Sequence, residues 1–294
     1  MRPIVLALAA VVAMTGCSVQ HMVDARRDRL EALGERDASD GHVWFAAGQG
    51  PTVVLVHGFG DQAGSWTAVA RALAPTNRVI VPDLAAHGQA APAHPMDFEH
   101  VYEQLVATLD AAGADKELVL VGNSLGGWLS LRFAIDHPER VRQVIAVDSA
   151  GLSHVVRREL LLPSTKAEMR DKLEALGGGL DQPLPGAMLQ QFIDAERPEY
   201  GELFDSFQAG DMLDSRLNKL TVPTSLVWGA DDGFFDLAYA RRLQTAIPGS
   251  HLTVLPGCSH SPQYDCAPEL VAAIREDLAA PPAAPVVRVM DPQH

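Results

Sequence analysis

Ser124 lies in the run Gly122-Asn-Ser-Leu-Gly126, which follows the apolar segment Leu118–Val121. A strand that ends in Gly-x-Ser-x-Gly and passes into a helix is typical of a strained turn that exposes a serine hydroxyl above a sheet. Side chains in place of these glycines would collide with the neighbouring backbone. The pattern therefore predicts that Ser124 is a nucleophile for acyl transfer, with the Leu125 N–H facing the developing oxyanion.

A second loop follows the apolar run Val53–Val56 and reads His57-Gly-Phe-Gly60. An acyl-transfer site needs two oxyanion donors, and the second usually comes from a loop after such a strand. We predict that the Phe59 N–H is this donor, since the adjacent glycines let the backbone turn inward. His57 is interpreted as a structural histidine that bonds the loop backbone, with a catalytic base as the alternative.

A serine hydroxyl needs a base to take its proton, and the base needs a carboxylate to fix its tautomer. His260 follows the apolar run His251–Leu255 and is the predicted base. Asp231 and Asp232 follow the run Thr224–Trp228, and Asp148 at another strand end is an alternative acid. The chain order Ser, Asp, His is one that an open parallel sheet uses for such a triad.

Short apolar runs alternate with amphipathic segments along most of the chain, which predicts an α/β fold with a mostly parallel central sheet flanked by helices. The predicted strands are His42–Ala46, Thr52–Val56, Arg78–Pro82, Leu118–Val121, Val141–Val147, Thr224–Trp228 and His251–Leu255. The predicted helices are Trp66–Leu73, Phe98–Ala112, Leu125–Asp136, Phe235–Ile247 and Glu269–Leu278.

The alternation stops between residues 151 and 220, where amphipathic stretches are separated by Gly177–Gly179, Pro183 and Pro185. Insertions of this length are usually functional, so we predict a helical cap over the carboxyl edge of the sheet. Its apolar residues could line an acyl pocket or could form the cap's own buried face. They are Leu160, Leu161, Leu162, Met188, Leu189, Phe192, Phe204, Phe207, Met212 and Leu213.

Five motifs resemble the α/β-hydrolase superfamily, in its capped-esterase and carbon–carbon-hydrolase group, over residues 41 to 279. They are HGFG (57–60), DLAAHGQA (83–90), GNSLGG (122–127), WGADDGF (228–234) and GCSH (257–260). The resemblance implies an α/β-hydrolase core of residues 41–150 and 221–279, with a cap inserted after the sixth strand. It also places the catalytic acid at Asp232 and makes Asp231 a solvated neighbour. Ala85, Ala86 and Ala90 depart from the family's Asp-Leu-Pro-Gly-His-Gly-x-Ser loop.

The serine nucleophile favours cleavage of a carboxylic ester in a small-molecule substrate with an apolar acyl part. The alternative is a carbon–carbon hydrolase of the meta-cleavage-product type, which the family resemblance also allows. Ser261, where those enzymes tend to carry Trp, and the segment Phe59–Gln62 depart from that group. A third hypothesis is a non-catalytic lipoprotein that keeps the fold.

A net charge of −14 and the absence of a basic stripe argue against nucleic acid as a partner. The eleven histidines are scattered without metal-ligand spacing, so no metal and no cofactor are predicted. Four of them are interpreted as loop or surface residues: His87, His94, His100 and His137.

The N-terminus has the layout of an export signal: Arg2, an apolar run over Ile4–Met14, and then Thr15-Gly16-Cys17. Met-Thr-Gly-Cys resembles the bacterial lipobox, which implies a signal peptide over residues 1–16 and lipidation of Cys17. A plain secretory signal with an incidental cysteine is the alternative. Ser18 implies, by the same resemblance, transfer to the periplasmic face of the outer membrane. Residues 17–40 are predicted to form a tether or a first surface helix.

Cys258 and Cys266 are the two cysteines that remain after Cys17, and they bracket His260. An even pair in an exported protein predicts a disulfide that would pin the loop of His260. Two unpaired thiols are the alternative. Residues 280–294 are rich in Pro and Ala and are predicted to form a flexible tail.

Overall fold

A computed structural model describes residues 19–154, 156–176, 184–279 and 287–290. Its strands are β1 (Glu35–Ser39), β2 (His42–Ala47), β3 (Thr52–Val56), β4 (Arg78–Asp83), β5 (Leu118–Asn123), β6 (Val141–Val147), β7 (Thr224–Gly229), β8 (His251–Leu255) and β9 (Val287–Val289). Its helices are α1 (Val19–Glu31), α2 (Thr67–Leu73), α3 (Phe98–Ala111), α4 (Leu125–Asp136), α5 (Arg158–Leu161), α6 (Lys166–Ala175), α7 (Gly186–Asp194), α8 (Pro198–Ser206), α9 (Leu237–Ala246), α10 (Pro262–Asp265) and α11 (Ala267–Ala279).

The strands form a nine-stranded sheet in the order β1-β2-β4-β3-β5-β6-β7-β8-β9. β2 is antiparallel to both of its neighbours, and every pair from β4-β3 to β8-β9 is parallel. Every residue of β5 and β7 is buried, because helices cover both faces of a parallel sheet. The predicted α/β-hydrolase fold with a mostly parallel sheet is confirmed.

Two apolar clusters hold the helices against the sheet, one on each face. The cluster on one face includes Phe98 of α3, Leu129 of α4 and Leu243 of α9. The cluster on the other face includes Leu73 of α2 and Leu270 of α11. The alternate side chains of a strand point to opposite faces, so both clusters draw on the same strands. This two-sided burial fixes the carboxyl ends of the strands in one rigid edge.

Helices α5 to α8 lie between β6 and β7 and form the cap that was predicted after the sixth strand. The cap packs on the core through Phe207, whose ring centroid lies 5.3 Å from that of Trp128, and through the Trp128 indole N–H, which donates to the Asp211 carbonyl. Leu189 and Leu213 are fully buried, so these two predicted pocket residues belong to the buried interior. Gly177–Gly179 and Pro183 lie outside the described residues.

Two edge strands were missed by the sequence analysis. β1 falls in the segment predicted as a tether or helix, whose described residues are helical over α1, and each of the five β1 side chains is exposed. β9 falls in the predicted flexible tail and pairs in parallel with β8. Strands with no buried side chains carry no hydrophobic alternation, so backbone pairing alone defines them. The predicted signal peptide and Cys17 lie outside the described residues.

Within the described ranges, we find no helix that is long and apolar enough to cross a membrane.

Candidate active site

Ser124 occupies a strained turn between β5 and α4, with φ of +55° and ψ of −117°. A left-handed backbone at a non-glycine residue costs about 1–3 kcal/mol and is tolerated only where the surroundings enforce it. A Cβ on Gly122 would lie 2.2 Å from the Gly126 carbonyl oxygen, and one on Gly126 would lie 2.3 Å from the Val56 oxygen. Both glycines are therefore sterically required, and the turn holds Ser124 at the carboxyl edge of the sheet.

The His260 side chain lies against the predicted acid. His260 Nδ1 is 3.0 Å from Asp232 Oδ2, and both side chains are buried. The other carboxylate oxygen of Asp232 accepts the backbone N–H groups of Phe234 at 2.7 Å and Phe235 at 3.0 Å. With Nδ1–H donating to the carboxylate, Nε2 is left as the basic nitrogen. Asp231 is exposed, as expected of a solvated neighbour.

Asn123 and Gln263 connect the His260 loop to the strand that carries the serine. The Asn123 amide donates to the His260 carbonyl at 2.9 Å, and its oxygen accepts from Gln263 Nε2 at 3.0 Å. All three side chains are buried. The sequence analysis missed these two amides, whose one local signal is that Asn123 directly precedes the nucleophile. They couple the position of the base to the position of Ser124.

The base loop, residues 258–266, is closed by the predicted disulfide. Cys258 and Cys266 are bonded, with a Cα–Cα distance of 5.7 Å. Within the loop, the Ser259 hydroxyl and N–H donate to Asp265 Oδ2 at 2.5 and 3.1 Å. A covalent closure and two internal hydrogen bonds therefore hold the segment that presents His260.

The oxyanion loop, residues 57–60, is held by two buried histidines. His57 Nδ1 is 2.8 Å from the Gly58 carbonyl, and its Nε2 accepts the Leu84 N–H at 3.0 Å. His87 Nε2 accepts the Gly60 N–H at 3.0 Å. Each ring accepts at one nitrogen, so each is the neutral tautomer. The predicted structural role of His57 is confirmed.

His87 lies in the loop that follows β4, as predicted, but it is not a surface residue. Its side chain is fully buried, and burial lowers its pKa from 6.5 to about 3. The charged form is disfavoured because it has lost its water. No local pattern predicts that His87 is buried, because its apolar environment comes from Tyr200 of the cap. The Tyr200 ring stacks on the His87 ring with centroids 4.6 Å apart.

One predicted oxyanion donor, Leu125, follows Ser124 in the chain, and the other, Phe59, belongs to a loop packed against the serine. A Cβ on Gly58 would lie 3.2 Å from the Ser124 Cβ, so the oxyanion loop lies directly against the nucleophile. Leu125 is the first residue of α4. Within the described part of the chain, neither the Phe59 N–H nor the Leu125 N–H donates a backbone hydrogen bond outside a helix or strand. Neither group is therefore occupied by such a backbone acceptor in the described residues.

The end of α6 contacts the loops that carry Asp232 and His260. The Gly233 N–H, beside Asp232, donates to the Ala175 carbonyl at 3.2 Å, and the Ser259 hydroxyl oxygen lies 2.7 Å from the Leu176 carbonyl oxygen. These contacts hold the cap against both loops. An open surface cavity of about 570 Å³, lined in part by Asp214 and Arg242, lies elsewhere and contains no residue of the predicted triad.

Among the residues that the structure describes, we find no group of three or more His, Cys, Asp or Glu side chains arranged to hold a metal ion.

Comparison with known proteins gives consistent matches. A family model described as "Alpha/beta hydrolase family" matches residues 53–274. The chain is 28% identical over 244 residues to a pimeloyl-(acyl-carrier protein) methyl ester esterase of Vibrio atlanticus, covering 76% of this chain and 93% of that protein. It is 30% identical over 244 residues to a 2-hydroxy-6-oxo-6-phenylhexa-2,4-dienoate hydrolase of Burkholderia cepacia, covering 74% and 84%.

The fold is also similar to the crystal structure of a membrane phospholipase A, a bacterial virulence factor, with a TM-score of 0.75. That match covers 94% of this chain and 96% of the other chain at 22% identity, so it concerns the fold.

Proposed function

Because the chain belongs to the alpha/beta hydrolase family, we propose that it is a serine hydrolase that cleaves a carboxylic ester through an acyl-enzyme on Ser124. The observation that carries this proposal is the 3.0 Å contact between His260 Nδ1 and Asp232, on a loop tied to the strand that presents the serine. This arrangement supplies a nucleophile, a base and an orienting acid in the chain order of the family.

In the proposed reaction, His260 Nε2 takes the Ser124 proton while Oγ attacks the ester carbonyl carbon. The negative charge that develops on the carbonyl oxygen is stabilised by the N–H groups of Phe59 and Leu125. His260 then gives its proton to the departing alcohol oxygen, and the C–O bond breaks. Water, deprotonated by the same nitrogen, attacks the acyl-enzyme and releases the carboxylic acid and the free serine.

Three observations support an ester as the substrate. Ser124 as nucleophile favours an acyl-enzyme, and one relative of similar length is a methyl ester esterase by its name. The relative named as a dienoate hydrolase has a comparable sequence identity, and it supports the carbon–carbon alternative. Ser261 and the Phe59–Gln62 segment, where this chain departs from that group, favour the ester.

We further propose that the chain is exported and anchored by lipidated Cys17 at the periplasmic face of the outer membrane. The Val19 N–H donates to Gln191 Oε1 at 2.9 Å, so the first described residue contacts cap helix α7. Two residues span at most about 7 Å. An anchor at Cys17 would therefore hold the cap close to the membrane surface, which favours lipid-like esters as substrates.

The test is hydrolysis of p-nitrophenyl esters of increasing acyl length by the wild type and by Ser124→Ala. We expect turnover to fall by at least about 10³-fold in the variant, with unchanged thermal unfolding. The control is Ser215→Ala, which alters an exposed serine of the cap region and should keep wild-type rates.

A folded wild type that cleaves no ester of the series would overturn the ester proposal and favour the carbon–carbon alternative. Anchoring is tested separately, by labelling cells with a radioactive fatty acid and recovering the wild type and Cys17→Ala. Label on the wild type alone is the expected result, and an unlabelled wild type would contradict the anchor.

A further inference from the structure

Asp148 is a buried carboxyl group that the proposed reaction does not use. It follows β6 directly, its side chain is fully buried, and its Oδ1 accepts the Gly229 N–H at 2.8 Å. Gly229 ends β7 and begins the loop that carries Asp232. The remaining oxygen, Oδ2, has no hydrogen-bond donor among the described residues. A buried carboxylate in this position would keep one oxygen unsatisfied, which is unfavourable.

The Asp148 carboxyl lies close enough to that of Asp232 for the two groups to interact electrostatically. Two carboxylates in contact inside a protein cannot both be ionised without a large electrostatic cost. One proton between them removes this cost and also provides the missing donor, because a protonated carboxyl oxygen donates to its neighbour. The pair is therefore expected to hold a single proton.

The donors around each carboxyl decide where the proton lies. Asp232 receives three N–H groups, from His260, Phe234 and Phe235, whereas Asp148 receives one, from Gly229. Hydrogen bonds to a carboxylate stabilise its charged form, so the charge belongs on Asp232 and the proton on Asp148.

Electrostatics favour the same assignment. Burial, and then the negative charge of Asp232, raise the pKa of Asp148 well above its usual value. Asp265 of α10 adds a further negative charge in the same direction.

We propose that Asp148 is a positioning residue, whose protonated carboxyl donates a hydrogen bond to Asp232 and holds this acid in line with His260. The inference rests on the proposed function, in which Asp232 orients the base. Asp148 fixes the acid twice, through the O–H donated to the carboxylate and through the N–H of Gly229 at the start of its loop. It acts without touching the substrate.

Asp148→Asn is the informative variant, because an amide has the shape of the protonated acid. Asp148 has φ of +43°, a left-handed conformation that Asn adopts about as readily as Asp. The amide oxygen can accept from Gly229 while the NH₂ group donates to Asp232. We expect Asp148→Asn to keep kcat within about threefold of the wild type.

Asp148→Ala removes both hydrogen bonds and is the contrasting variant. Since a hydrogen bond to a charged group is involved, we expect kcat to fall by about tenfold or more, with KM nearly unchanged. Asp231→Ala is the control, because this exposed neighbour should not alter either constant. Rescue by Asn and not by Ala is the result that supports a donor role.

The proton itself is tested by infrared difference spectroscopy of the wild type minus Asp148→Asn at pH 7. A protonated carboxylic acid gives a C=O stretch that a carboxylate does not, so we expect this band in the wild type alone. The proposal is overturned by absence of the band, by an Asn variant as impaired as the Ala variant, or by wild-type kcat in Asp148→Ala. Because the spectrum needs no turnover, a failure here is distinct from a failure of the ester proposal.

Discussion

The oxyanion loop and the base loop lie at the same edge of the sheet and are held in place by different chemistry. The base loop is closed by the Cys258–Cys266 disulfide. The oxyanion loop has no covalent constraint and is held by hydrogen bonds to the rings of His57 and His87. Catalytic groups must stay within about 0.5 Å of their working positions, so both loops need support.

Both loops are largely buried, and each has one exposed residue. In the oxyanion loop His57 and Gly58 are buried and Gly60 is exposed. In the base loop His260 is buried and the Tyr264 side chain is 40% exposed. The loops therefore differ in the kind of bond that holds them. A disulfide is insensitive to water and to pH, whereas hydrogen bonds to neutral histidine rings are lost when those rings become protonated.

The largest expected effect comes from removing the polar support of the oxyanion loop. His87→Ala leaves the Gly60 N–H without its acceptor and frees the backbone that carries the Phe59 N–H. We expect kcat to fall by about 10²-fold, comparable to the loss of one oxyanion donor, with a small change in KM. Steady-state kinetics on the preferred ester provide the measurement.

The control for His87→Ala is His94→Ala, an exposed histidine that should be neutral. Unchanged kcat in His87→Ala would show that the oxyanion loop holds its shape without the histidine.

Removing the covalent support should act mainly on stability. Opening the loop between Cys258 and Cys266 by a double substitution to Ser is expected to lower the free energy of unfolding by about 2.5 kcal/mol, from chain entropy alone. Urea denaturation of the two proteins measures this difference. We expect kcat to fall less than in His87→Ala, since Asn123 and Gln263 still hold the loop. If the loss of kcat, expressed as a free energy, exceeded the loss in the free energy of unfolding, the result would contradict this expectation.

The hydrogen bonds that hold the oxyanion loop should also be more sensitive to acid than the disulfide of the base loop. Burial holds the pKa of His87 at about 3, below the 6.5 of an exposed imidazole, so the unfolded chain binds this proton first as pH falls. The free energy of unfolding should therefore decrease between pH 6.5 and pH 3, by up to ~1.4 kcal/mol per pH unit from this residue.

The contribution of His87 is measured by urea denaturation at several pH values in the wild type and in His87→Gln. The variant should show a shallower pH dependence, and His94→Gln should follow the wild type. Equal slopes in all three proteins would mean that His87 is not the acid-sensitive support.

The smallest effect concerns Ala86, beside His87. Ala86 has φ of +61°, at the position where the family loop has glycine. A left-handed alanine costs about 1–2 kcal/mol, and the added flexibility of glycine in the unfolded chain offsets part of this. Ala86→Gly should raise stability by roughly 0.5 kcal/mol, measured by urea denaturation. Gly88 also has positive φ, so Gly88→Ala is the opposite control and should destabilise the protein.

Most of the fold could be predicted because buried parallel strands and amphipathic helices leave a local pattern. β3 and β6 were predicted with their observed bounds, and α4 likewise. Helix α8 was missed, since Gly201 lowers helical propensity in its middle, and Pro198 at its first position was not recognised as a helix start. Local patterns report burial, and they weaken wherever an element lies at an edge or on the cap.

The site divides in the same way between local and long-range information. The sequence by itself determined the turn at Ser124, the positions of Asp232 and His260 after apolar strands, and the cysteine pair, because each depends on residues close together in the chain. Only the tertiary structure decided that Asp232 rather than Asp148 contacts His260, that His87 is buried, and that Asn123 reaches the His260 carbonyl 137 positions away. Those facts depend on which side chains meet when separate strands end at one edge of the sheet. Neither spacing nor composition records such meetings, since they are created by packing between elements distant in the chain.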